Sequence, residues 1–339
     1  MTNTKLFFLI IISSLSINSF SQVSNTLNAE TPNEINELTN DQKKYNNDKP
    51  LPYGYVGDRD VLWSKVVWET IDLNQKVNFP LLFPTDSRNF GKNRRSLFQV
   101  LIDGIEEGTK NNPDNTAITE VYSDSYFNQK KDFQQIQSNL KAIFFPDVAL
   151  EILGKYGVTG TDAVTKFKER ALANTLDNYP NLYSPELISE MDPFLVPSEI
   201  TGDDIDQYLI KGIYYVDKRQ GELKYRLLGI APAGYDIQTQ NPSFTGNRTI
   251  TPFFWIWYAD ARNALYKASV LNSDNGAKPL NFDQLLTARR FDAKIYKTKN
   301  IYEDREIDDY VQNNAMMQLL ESNRIKQKIR NFELDLWTY

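Results

Sequence analysis

The chain has 339 residues, with 38 Lys and Arg against 44 Asp and Glu for a net charge of −6, and it contains neither His nor Cys. Without imidazole or thiol, Ser-His-Asp and Cys-His catalysis, disulfides, a lipid-modified cysteine and the commonest transition-metal ligands are all excluded. The acidic balance and the absence of a long basic run leave nucleic-acid binding without an electrostatic footprint.

The chain opens with Lys5, the apolar run Leu6–Ile12 and small residues at Ser19 and Ser21. That is the layout of a cleaved secretory signal over residues 1–21, and its apolar run is too short to remain as a membrane anchor. Residues 22–50 are Asn-rich and polar, with single scattered apolar residues, and read as a flexible leader. The fold is expected to start near Pro50-Leu51-Pro52 and to run to residue 339 as one region, with a possible internal boundary at 178–200.

The stretch "GDRDVLWSKVVWETIDLN" (57–74) predicts a helix of about four turns, with Asp58 or Asp60 as N-cap. Leu62, Trp63, Val66, Val67, Thr70, Ile71 and Leu73 then share one arc, while Trp68 and Val61 fall on the polar arc. Helical phase thus gives Trp63 a core role and leaves Trp68 to be covered either by the chain or by a partner. Truncating Trp68 is expected to leave the fold intact and weaken association. Further helices are predicted over 94–107, 133–145 and 163–176, with a strand over 117–122. Pro180, Pro185, Pro193 and Pro197 break regular structure and mark the 178–200 boundary.

Beyond it, "YLIKGIYYVDKRQGELKYRLLGIAP" (208–232) predicts a β-hairpin turning at 218–222. The run "PFFWIWY" (252–258) leaves no wet face in a strand or a helix, which suits a core strand or an exposed docking edge. A helix over 260–271, a short helix and strand within 282–297, and a mostly helical segment 306–334 complete the chain. Helices first and strands clustered later, without a βαβ rhythm, define α+β. The expected order is a helical N-terminal portion, then antiparallel strands, then a C-terminal helix.

Motifs for chemistry are weak. Gly91-Lys92 and Gly154-Lys155 lack the Ser or Thr that completes a phosphate loop, so no cofactor is expected. Asn272–Gly276 lacks the spacing of a calcium loop. The acid clusters Glu106-Glu107, Asp203-Asp204 with Asp206, and Asp308-Asp309 keep a carboxylate-based hydrolase of an exported chain open as the alternative function. Each sits where a helix end or solvation explains it. Aromatic side chains carry the stronger signal, with 19 Tyr, 19 Phe and 5 Trp. Such residues favour protein interfaces, and Val61, Trp68, Phe253, Trp255 and Trp257 are the candidate partner-binding residues.

Four long segments, in this order, resemble the GldN/PorN family of the Bacteroidetes gliding and type IX secretion machinery. They are "YGYVGDRDVLWSKVVWETIDLNQKVNFPL", "YYVDKRQGELKYRLLGIAP", "PFFWIWYADARNAL" and "LLTARRFDAKIYKTKNIYEDREI", spanning roughly residues 50–310. The resemblance implies a non-catalytic scaffold in the periplasm. It implies assembly into a ring with an outer-membrane lipoprotein of the GldK/PorK kind and contact with the periplasmic part of a GldM/PorM-like inner-membrane protein. Membrane association would then come only through partners.

Overall fold

The computed structural model describes residues 50–85, 95–241, 244–270, 280–312 and 314–336. The predicted signal, the leader up to residue 49 and the Asn272–Gly276 turn lie outside the described residues. Residues 49–271 and 281–339 belong to one compact unit. That unit carries the strands and helices that follow.

Its strands are β1 (Val61–Asp72), β2 (Val121–Tyr122), β3 (Lys141–Ala142), β4 (Ser198–Glu199), β5 (Ile205–Asp217), β6 (Glu222–Tyr235), β7 (Ile250–Pro252), β8 (Trp255–Trp257) and β9 (Lys294–Thr298). One antiparallel sheet runs in the order β2-β8-β6-β5-β1-β9, with β7 also paired to β6, while β3 and β4 form a separate two-stranded ladder. The helices are α1 (Leu97–Gly108), α2 (Phe133–Leu140), α3 (Asp147–Lys155), α4 (Thr161–Leu172), α5 (Pro185–Met191), α6 (Tyr258–Lys267), α7 (Phe282–Thr287), α8 (Ile307–Tyr310) and α9 (Ala315–Leu336). The fold class is therefore α+β with a C-terminal helix, as the order of segments predicts.

The first element corrects the sequence reading. Residues 61–72 form a strand, paired along its length with β5 and over its second half with β9. Asp58–Asp60 make only a single 3-10 turn without a side-chain cap. The reason is that β1 is buried on both faces, with Val67, Trp68 and Glu69 in succession all nearly inaccessible. Such a strand shows no apolar-polar alternation. Its apolar residues can then be fitted to a helical arc as readily as to a ladder. Strand phase puts Trp63, Lys65, Val67 and Glu69 on one face and Val66, Trp68 and Thr70 on the other.

The first of those faces lies under the C-terminal helix: Val67 packs with Ile295, Ile307, and Ile325 and Ile329 of α9. Ser322 of α9 accepts the Ile295 N–H at 2.9 Å, so the helix also satisfies a main-chain donor of β9. The hairpin expected at 208–232 is present and longer, β5 and β6 turning through Gly221 at φ 64°. The 133–145 prediction is half right: the helix ends at Leu140, and Lys141-Ala142 pass into β3.

Residues 141–199 form a helical lobe whose two ends meet in the β3–β4 ladder. Its core is Ile143, Ala149, Leu153, Phe167, Leu187 and Met191 with their neighbours, all from this one stretch. Gly160 at φ 91° precedes α4, and the Ser184 hydroxyl accepts the Leu187 N–H to cap α5, with Pro185 at its first position.

Candidate interaction surface

One row of side chains crosses five strands. Trp257 of β8 lies opposite Gly229 of β6, Gly229 opposite Lys211 of β5, Lys211 opposite Trp68 of β1, and Trp68 opposite Lys297 of β9. Residues so paired share a face of the sheet. The segment 123–130 lies across this row. Phe127, at φ 62°, lays its ring over Gly229, where a Cβ would meet Phe127 Cζ at 2.4 Å. The same ring is edge-to-face with Trp257 at 5.0 Å and with Tyr122 at 5.3 Å. Its neighbour Tyr126 sits 5.7 Å from Trp68.

The two lysines complete the row. Lys211 Nζ stands 4.9 Å from the Trp68 ring centroid and 5.1 Å from that of Tyr126; Lys297 Nζ stands 5.4 and 5.3 Å from the same rings. An ammonium over an aromatic face meets the negative lobe of its quadrupole. Lys211 also donates to the Ser125 carbonyl at 2.8 Å, tying the crossing segment to the sheet. Burial lowers the Lys211 pKa, which Asp304 and Asp124 counter in part.

The five predicted residues separate on this geometry. Trp68 is 1% exposed and is covered by its own chain, by Tyr126, Phe127 and the apolar cluster formed with Ala231 and Trp255. Its isolation on a polar arc was a product of helical phase and disappears in the strand, so Trp68→Ala should now damage the fold itself. Phe253 and Trp255 belong to the core. Val61 is half-buried at the start of β1, beside a bulge. Trp257 alone of the aromatic candidates presents its ring, at 39% exposure, and Tyr126 at 43% accompanies it across Phe127. The sequence reading passed over Tyr126 and Phe127, although two adjacent aromatics inside the polar run "SDSYFNQK" were a visible signal.

Two buried carboxylates are locked to arginines. Glu69, fully buried, receives Arg289 through two hydrogen bonds of 2.8 and 2.9 Å and Tyr225 Oη at 3.3 Å. Burial opposes the Arg289 charge, but the hydrogen bond and field of Glu69 outweigh it and raise the guanidinium pKa. Asp283 is likewise bound by Arg262 at 2.8 and 3.0 Å and by Tyr258 Oη at 2.8 Å. Burial, then the Asp283 charge, push the Tyr258 hydroxyl up, so it stays a donor.

Among the acid clusters, Glu107 pairs with Lys110, Asp204 accepts the Thr201 N–H, Asp309 accepts the Glu306 N–H and Asp308 accepts from Gln318. Asp206 is the one whose pKa is raised, by burial and then by the charges of Asp204 and Asp72. Those two neighbours serve turns, Asp72 accepting the Asn74 N–H at 3.0 Å. Among the described residues no group of three or more acids could hold a metal ion, and no helix is long and apolar enough to cross a membrane.

Buried acids locked to arginines, with an aromatic row ending in an exposed tryptophan, define a protein organised around packing contacts. The chain belongs to the GldN family: residues 56–338 match the family described as "Gliding motility associated protein GldN". It is a component of the gliding-motility and type IX secretion machinery. The match runs through α9, which the sequence motifs had left outside the resemblance. No curated protein matches the chain.

Proposed function

We propose that the chain is a non-catalytic structural subunit in the periplasm, assembled beneath the outer membrane into a ring with a GldK/PorK-like lipoprotein. In this reading it also contacts the periplasmic part of a GldM/PorM-like inner-membrane protein, and reaches membrane only through these partners. The observation that carries the reading is the family match over residues 56–338. The engagement of Glu107, Asp204, Asp308 and Asp309 in caps and pairs supports it over the carboxylate-hydrolase alternative.

Trp257 is the docking residue of this reading. Its ring is exposed, yet Phe127 holds it edge-to-face at 5.0 Å. A pre-ordered aromatic loses little side-chain entropy when a partner covers it, which is how interface hot spots arise. Trp257→Ala should leave thermal unfolding almost unchanged and reduce co-purification with the outer-membrane lipoprotein by about tenfold or more. Equal recovery of the variant would remove Trp257 from the interface. Recovery of the wild-type chain alone, free of any envelope partner, would end the subunit reading.

A further inference from the structure

A second surface, on the opposite side of β1 from the Trp257 row, has the make-up of a peptide-binding cleft. Its volume is about 470 Å³, and it opens between β1, the end of β9, the turn that follows and α9. That size falls among ordinary ligand sites. The floor is apolar: Trp63 stacks on Phe332 of α9 at 4.8 Å and 21°, over Ile325 and Ile329. The rim is cationic. Lys65, Arg305, Arg324 and Lys328 line it against a single acid, Glu321.

These charges are mostly unspent within the chain. Glu321 is taken by Arg324 through a charged hydrogen bond of 2.6 Å, which lowers its pKa. Lys65, Arg305 and Lys328 have no carboxylate within ion-pair distance among the described residues. Arg305 lies instead against the rings of Tyr302 and Tyr310, at 5.9 and 4.9 Å, with both tyrosines substantially exposed. Three nearby acids are engaged elsewhere: Asp304 accepts from Asn300 N and Tyr126 Oη, and Glu306 and Asp309 cap α8. A chain with net charge −6 thus places around one apolar floor three cations that make no ion pair among the described residues.

We infer that this cleft binds an acidic peptide segment of a partner protein, with one aliphatic or aromatic side chain on the Trp63–Phe332 floor and flanking carboxylates on Lys65, Arg305 and Lys328. Charge complementarity selects the acids, and the apolar floor requires a side chain between them. The inference goes beyond the subunit reading and does not use Trp257, so either can fail without the other.

The test uses the purified chain and a fluorescein-labelled, N-acetylated octapeptide of Asp and Glu with a central leucine, followed by anisotropy. Saturable binding is expected, weakening steeply from about 0.05 to 0.5 M salt as screening shortens the reach of the rim charges. The double variant Arg305→Glu, Lys328→Glu changes two exposed side chains, and its fold is checked by circular dichroism. It should lose about tenfold or more in affinity, mostly as a slower association rate. Equal binding by the double variant would overturn the inference. So would equal binding of the lysine version of the peptide, or of free glutamate at the same carboxylate concentration. Preferential binding of anionic lipid vesicles or of single-stranded DNA over the peptide would overturn it as well.

Discussion

The helical lobe and the sheet reach their cores by different routes. In the lobe every core side chain comes from the continuous stretch between Ile143 and Leu195, and the core contains no buried charge. In the sheet, β1 is held between β5 and β9, and its central Glu69 is neutralised by Arg289, 220 residues further on. Local closure lets a lobe order itself on short loops, whereas the sheet needs distant elements together before its buried Glu69 is satisfied. An isolated buried carboxylate is costly, so β1, β5, β6 and the Arg289 turn are stable only as a set. The difference teaches that the lobe is replaceable packing, while the sheet carries the constraints that place Trp257 and the cationic cleft.

That contrast can be broken experimentally. The largest effect is expected from Arg289→Ala, which leaves Glu69 buried without its cation. Losing one partner of a buried pair costs about 3–5 kcal/mol, and urea unfolding should show the drop with an unchanged slope. A loss near zero would mean that water reaches Glu69 and that the sheet is not held by this pair.

Leu187→Ala empties part of the lobe core, at a cost of about 2–5 kcal/mol. Hydrogen exchange should then quicken across α3, α4 and α5 while β5 and β6 keep their protection. Uniform loss of protection would show lobe and sheet to be one cooperative unit, and the comparison would fall.

Gly229→Ala should cost less, about 1–3 kcal/mol, because the new methyl can be accommodated only if Phe127 moves off the sheet. The sharper readout is tryptophan emission: displacement of Phe127 frees Trp257 and uncovers Trp68, so the spectrum should shift to the red. An unshifted spectrum would show that Phe127 does not order the row.

Much of the lobe could be read directly. Phe167 and Ala171 recur at helical spacing in α4, but Pro185, which reads as a break in regular structure, instead opens α5 at its first position behind the Ser184 cap. The β5–β6 hairpin was equally legible, because Gly221 marks its turn and Lys224 and Arg226 alternate with apolar neighbours. β1 was not legible, and with it the candidate surface was misplaced onto Trp68. Phe253 and Trp255 were indistinguishable in sequence from Trp257, since a run of six large apolar residues does not say which one stays exposed. Tyr126 and Phe127 gained their meaning only from the glycine opposite them, a hundred residues away in the chain.

The amino-acid sequence by itself determined the α+β class, the helices α1, α2, α4, α6, α7 and α9 and the hairpin, and it removed imidazole and thiol chemistry outright. These follow from composition and from short-range periodicity, which depend on neighbours along the chain. Tertiary structure decided the state of residues 61–72, the burial of Trp68, the exposure of Trp257 and the gathering of Lys65, Arg305 and Lys328 on one rim. Each of those depends on what covers the second face of a strand, and that cover arrives from β9, α9 and the 123–130 segment, whose distance in sequence hides it from any local pattern.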